Sequence, residues 1–266
     1  MKDLVMLNKR VFRTSAILIS VMLALAACGG GGDSTGNATL AATAAPPAGS
    51  INPQVVPLDA NFRGKTYTEW VVSFWQWALV LPTGPLPHPF NDCQNRPISA
   101  SQTGNVWYWS APDAAPLLCD QTGTVIPGGT AILLTMLDVE ASSLDSDPHF
   151  NSPTADGQRK IATTFASYIS DLFCTIDGVS VTDIPAYRTT TGQFSFTPPA
   201  NWIFGTNPTN ATATSVAAGY FLLLKPLSPG KHEIHYGGTF HIPAGVFGPD
   251  AVDVPKDVTL WIRVGD

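Results

Sequence analysis

The stretch from Gly219 to Ile242, GYFLLLKPLSPGKHEIHYGGTFHI, limits the fold more than any other. Tyr220 to Leu224 is an apolar run, and Pro226, Ser228, Pro229 and Gly230 supply the turn chemistry that stops it. Lys231 to Tyr236 then reads as the return strand of a β-hairpin. Side chains alternate along a strand, so His232, Ile234 and Tyr236 share one face while Lys231, Glu233 and His235 share the other. His232 falls on the apolar face and is expected as a hydrogen-bonded core residue. Gly237 and Gly238 allow a bulge or bend, after which Phe240 and Ile242 turn inward and His241 outward. If the bend preserves the face, His235 and His241 converge. Three of the five histidines lie in this one stretch.

The other elements point the same way. Ala131 to Glu140 is the strongest strand, with Ile132, Leu134, Met136, Asp138 and Glu140 on one face, so that an apolar face ends in two carboxylates. Strands are also expected at Val106–Ser110, Phe194–Phe196, Val216–Lys225 and Val258–Val264, and Asp177-Gly178 signals a hairpin. Thr66 to Leu81 reads as a helix, opened by a Thr66/Glu69 capping box and closed by Pro82. Nearly all of its surface is apolar, and its one polar stripe is Glu69, Ser73 and Gln76. Gly157 to Phe173 has the period of an amphipathic helix. With Gly and Pro at 23 each and 13% charged residues, the chain is too loop-rich to be mainly helical. The expected fold is mainly β with two helices (α+β): an antiparallel β-sandwich or jelly roll, one domain over residues 54–266, with the helices packed on it.

Met1 to Cys28 sets location. Lys2, Lys9, Arg10 and Arg13 precede an apolar segment, Ala16 to Ala27, too short to span a bilayer, and residues 1–27 read as a signal peptide. Leu25-Ala26-Ala27-Cys28 resembles the lipobox of bacterial lipoproteins. That resemblance implies cleavage before Cys28, acylation of its sulfur and anchoring to a lipid bilayer. Gly29 after the cysteine fits outer-membrane retention, and ordinary cleavage near Ala27 is the alternative. Residues 28–53 are a Gly, Ala, Thr and Pro-rich tether. Within it, Gly32 to Gly36 matches the G-x-S-x-G pattern of serine hydrolases without the flanking strand and helix that motif needs. Outside residues 1–27 there are 10 Lys and Arg against 19 Asp and Glu. A net charge near −9 leaves no footprint for nucleic acid.

Cys93 and Cys119 lie in loops that bracket Val106–Ser110 and are expected to form a disulfide in an oxidising compartment. Cys174 is then a buried thiol. Asp138 and Glu140 are candidate acid and base, because partial burial at a strand end disfavours the charged carboxylate; His235 and His88 are further catalytic candidates. Asp145, Asp147, His149 and Asn151 alternate as in a calcium loop, but Phe150 stands where glycine is required and no Glu closes the loop, so solvated polarity is the better reading. No cofactor is expected. A cupin-like metal ion is the minor alternative, since His232 and His235 face opposite ways and H-E-x-H lacks the H-E-x-x-H spacing of helical zinc sites.

Trp70 with Trp75-Gln76-Trp77, Gly104-Asn105-Val106-Trp107, and Leu227 to His232 through Ile234 to Gly238 together resemble a group of uncharacterised secreted bacterial proteins over about residues 67–264. The resemblance implies one exported domain and transfers no catalytic role. Two functions from different classes follow. The leading one is a surface lipoprotein that binds an extracellular ligand, a carbohydrate or other polymer, through exposed aromatics, with Gln76, Trp107, Trp109 and His241 as candidate contacts. The competing one is an extracellular hydrolase or lyase using Glu140 and Asp138 with His235 or His88. A structural envelope protein without a small ligand is the third.

Overall fold

In the computed structural model of the chain, residues 52–266 are described. The expected signal peptide, Cys28 and almost all of the tether lie outside the described residues. Asn52, two residues before the expected domain boundary, is already buried and hydrogen-bonded to Thr182 and the Tyr187 hydroxyl.

The elements run in the order α1 (Tyr67–Leu79), β1 (Val106–Trp109), β2 (Leu117–Ile126), β3 (Ala131–Ser142), α2 (Ala155–Ala166), β4 (Ile169–Ile176), β5 (Val179–Ser180), β6 (Arg188–Thr190), β7 (Phe194–Phe196), β8 (Asn201–Trp202), β9 (Gly205–Thr206), β10 (Ala213–Leu224), β11 (Gly230–Ile242) and β12 (Val252–Val264). One sheet is ordered β1-β3-β10-β6, with β7 also on β10; the second is β2-β12-β11-β4-β5. They stack face to face, so that Trp109 Nε1 of the first sheet donates to the Tyr236 hydroxyl of the second at 2.9 Å. This is the expected β-sandwich with two helices. Its sheets are mixed, since β1 pairs with β3, and β2 with β12, in parallel.

Helix α1 forms where its capping box directs, with Thr66 Oγ1 accepting from the Glu69 amide and the Glu69 carboxylate from the Thr66 amide. It lies on the outer face of the first sheet, where the Phe74 ring meets Tyr108 and Phe221. That cover buries both faces of β10. Helix α2 stops at Ala166, well short of the expected Phe173. Its apolar period runs on by coincidence into β4, whose residues pair with β11.

The stretch Gly219–Ile242 is two strands, but not a hairpin. β10 pairs with β3, β6 and β7 while β11 pairs with β12 and β4, so residues 225–229 carry the chain from one sheet to the other. Turn chemistry marks where a chain reverses; it does not name the sheet that receives it. The glycine bulge is real but one-sided: the β11–β4 register slips between Gly237 and Thr239, while the β11–β12 ladder is unbroken. A Cβ on Gly237 would sit 2.0 Å from the Lys256 carbonyl oxygen and 2.8 Å from the Phe173 ring.

Cys93 and Cys119 are joined, 26 residues apart. The cross-link holds the loop before β1 against β2. Closing a loop of this length in the unfolded chain is worth about 3.5 kcal/mol. Cys93→Ala with Cys119→Ala is therefore expected to lower the urea-measured stability by about that amount, and a loss below about 1 kcal/mol would show that the link does little for the fold. Cys174 is free and buried, and burial pushes its thiol up to about 12. None of the described helices is long and apolar enough to cross a membrane.

Candidate functional site

β3 outruns its neighbour. β1 ends at Trp109 opposite Leu134, and on that side the next pairing of β3 is the bridge from Ser142 to Asn151. Among the described residues, the intervening edge faces a cavity of about 150 Å³. The cavity lies beside this uncovered edge of β3, and its walls bring together distant parts of the sequence. Trp75 comes from α1, Phe90 from the Pro-rich loop, Ser110 and Asp113 from the segment after β1, and Asp138 and Glu140 from β3. Phe150, Phe165 and Phe204 add rings, and Phe240, Val254 and Lys256 come from the inner face of the second sheet.

The two carboxylates reach it through a bulge. Tyr220 faces Leu137 and Phe221 faces Thr135, so Met136 has no opposite residue and the alternation of β3 slips by one. Asp138 and Glu140 consequently leave the face of Ile132 and Leu134 on which simple alternation places them, and join that of Thr135. The Thr135 hydroxyl donates to Ser110 Oγ at 2.9 Å, which ties the next segment of the wall to this face. Gly219 sits opposite Asp138 with φ +154°, and a Cβ there would lie 2.4 Å from the Asp138 Cα. Only glycine lets β10 come this close.

Carboxyl groups outnumber cations in the cavity wall. Lys256 is 2% exposed; its ammonium donates to the Ala111 carbonyl at 2.9 Å and pairs with Asp113 at 3.0 Å. The Asp257 amide donates to the Ala114 carbonyl, holding that loop on β12. Asp138 is half-buried, but one of its carboxylate oxygens is fully enclosed, and that oxygen and Trp75 Nε1 both lack hydrogen-bond partners. Burial raises its carboxyl to about 7, against a lowering by Lys256 and with a further rise from Asp113. Glu140 Oε2 accepts from Ser215 Oγ at 2.6 Å. A carboxyl poised near neutrality beside a buried ammonium is equipped to give or take a proton.

The histidines stand elsewhere. His88 supports the wall: its Nδ1 accepts from the Phe90 amide, so its Nε2 carries the proton donated to the Ala78 carbonyl at 3.0 Å. Burial lowers His88 to about 4 and keeps it neutral. It is a buried prop for Phe90, not an acid or base facing the cavity. His235 lies on the outer face of the second sheet, 2.8 Å from Asp257 and edge-on to Phe173. His241 is exposed there too, between Asp171 at 2.7 Å and Asp253 at 2.8 Å, and these hydrogen bonds raise its pKa. The two outward histidines hold separate carboxylates and do not converge. His232 is the core residue expected, bonded to Asp177 and the Ser228 carbonyl.

The expected aromatic contacts also need correction. Trp107 and Trp109 are 8% and 4% exposed, because their strand is covered on both faces. Neither presents a ring to an external ligand. Gln76 is exposed but spends its amide on the Ser195 carbonyl. In the 145–151 loop, Asp145 Oδ1 accepts from the Asp147 amide and Asp147 Oδ1 from the His149 amide. Among the described residues no cluster of His, Cys, Asp and Glu is arranged to hold a metal ion.

Lys256 and Asp113 were missed. The inward alternation Val254, Lys256, Val258, Leu260, Ile262 carries a signal for Lys256, but Pro255 argues against a strand there.

No family model matches this chain, and no curated protein does. Among solved structures, the solution structure of Amebosin is 13% identical over 56% of this chain and 99% of its own, with a TM-score of 0.16; a likeness that slight carries no argument.

Proposed function

We propose that the protein is an envelope lipoprotein enzyme of the hydrolase or lyase type. It acts in this cavity on a substrate, or the end group of a polymer, about one ring in size. Asp138 moves the proton, Glu140 is the paired carboxylate, and Lys256 fixes the charge between them and Asp113. The observation that carries this reading is Asp138, with one carboxylate oxygen enclosed and its carboxyl held near neutrality in a cavity it shares with aromatic rings and the buried Lys256. At neutral pH such a group populates both protonation states, as proton transfer in either direction requires. The cavity volume is near that of an engineered apolar cavity that takes benzene, too small for an internal stretch of polysaccharide. Anchoring at Cys28 rests on the sequence of residues 1–28.

A panel of chromogenic nitrophenyl glycosides and esters tests this. Asp138→Asn and Glu140→Gln are each expected to lower kcat by about 10²–10⁴-fold on any member that is turned over, in proteins that still unfold cooperatively, with Asp138→Asn melting no lower than the parent. Unchanged turnover in both folded variants would remove the catalytic role. A panel member that raises the melting temperature and is never turned over would point instead to a ligand-binding module.

A further inference from the structure

Resting on the reading of this cavity as a substrate site, we propose that it selects small cations, an ammonium group carrying apolar substituents, and turns away anions. Three carboxyl groups, Asp113, Asp138 and Glu140, line it against one cation, Lys256. That cation is already engaged by Asp113 and the Ala111 carbonyl, so it offers an incoming anion little. Above about pH 7 an anion would meet the ionised Asp138 in a low-dielectric cavity, where like charges repel far more strongly than in water.

The walls favour a cation independently. Trp75, Phe90, Phe150, Phe165, Phe204 and Phe240 line the same space, and an aromatic face carries the negative end of the ring quadrupole. Aromatic rings together with carboxylates make an environment suited to alkylated ammonium groups, whose methyl substituents match the apolar lining. The enclosed, unpartnered oxygen of Asp138 supplies a charge acceptor within that lining.

Binding is then coupled to a proton. The charged or titratable groups around Asp138 are Glu140 on its own strand, Asp113 beyond β1, Lys256 on β12 and Tyr236 on β11, whose hydroxyl burial keeps neutral. Without ligand, Asp138 holds its proton up to about pH 7. A cation beside it favours the ionised form, so one proton leaves as the cation enters.

Three probes of similar size separate the terms: tetramethylammonium, neopentyl alcohol and pivalate, titrated into the full chain in detergent. Tetramethylammonium is expected to raise the melting temperature at pH 8 by about 5 °C at a hundredfold excess over Kd. It should bind at least about tenfold more tightly than neopentyl alcohol, and pivalate should not bind. Its affinity should fall about tenfold at pH 6, with buffer-dependent heats reporting the released proton. Asp138→Asn should abolish the pH dependence and most of the preference; Glu140→Gln should weaken the preference and keep the pH dependence. Equal or tighter binding of the alcohol or of pivalate overturns the charge selectivity, as does failure of all three to bind. Turnover of neutral chromogenic substrates alongside such a failure leaves the catalytic reading standing, whereas absence of both binding and turnover removes the two together.

Discussion

Asp138→Asn is expected to stabilise the folded protein by about 4 kcal/mol at pH 8, and by little at pH 4. Burial raises the Asp138 carboxyl from its ordinary 3.8 to about 7, a gap worth about 4 kcal/mol at 1.36 kcal/mol per pH unit. A folded pKa above the unfolded one contributes stability that is full below about pH 4 and is lost as pH rises through 7. Asparagine keeps the shape and never ionises, so the variant escapes that loss. His88 works in the opposite sense. Its folded pKa of about 4 lies below the ordinary 6.5, so its contribution is full above pH 6.5 and disappears as pH falls through 4. Between about pH 4 and 6.5 the native protein holds one proton the unfolded chain lacks, on Asp138, and lacks one the unfolded chain holds, on His88. The two slopes cancel in the parent. In Asp138→Asn the His88 slope stands alone, and stability should climb by about 1.4 kcal/mol per pH unit across that window. Urea unfolding at pH 4, 5, 6.5 and 8 measures this; a gap between variant and parent that does not change with pH would sink it.

Lys256→Met is expected to cost about 3–5 kcal/mol at pH 8, because removing one partner leaves buried negative charge uncompensated. Methionine retains the apolar stem, so the loss reports the ammonium and its bonds to Ala111 and Asp113 rather than packing. Lys256 lowers the pKa of Asp138, so its removal drives that carboxyl still higher. At pH 5 Asp138 is protonated and much of the cost should be recovered. Asp113, 32% exposed at its side chain, keeps access to water and accounts for part of the remainder. The same substitution in an Asp138→Asn background should cost less at pH 8 than in the parent. A loss that is equal at both pH values and in both backgrounds would show that the ammonium and Asp138 do not interact.

The parts of this architecture that depend on local rules were legible in the sequence. The capping box at Thr66, the disulfide between Cys93 and Cys119, the existence of a strand from Ala131 and the turn at Asp177-Gly178 each follow from residues close in the chain. What escaped depends on the partner. Met136 is unpaired only because β10 spends one residue fewer than β3, and neither strand alone records that slip. The last strand was expected only from Val258, beyond Pro255. β12 runs through it because β2 joins only from Val258 onward, leaving the missing N–H no neighbour to disappoint on that side. Lys256, next to that proline, fell outside the expected strand, whereas β12 begins at Val252. The histidines drew attention because they cluster in sequence, yet three of them hold acidic partners on or near the second sheet and none lines the cavity.

The parallel pairing of β2 with β12 joins Leu117 to Val258, and β12 lies in the interior of its sheet, between β2 and β11. Contacts this remote in the chain close late, since a long loop must be ordered before any pairing rewards it. A chain interrupted before Val252 leaves β2 without a partner and β11 with one exposed edge, while β3 and β10 are already able to pair. Lys256 arrives on that same strand. Proteolytic or biosynthetic fragments that lack β12 therefore carry the cavity's carboxylates without its one cation.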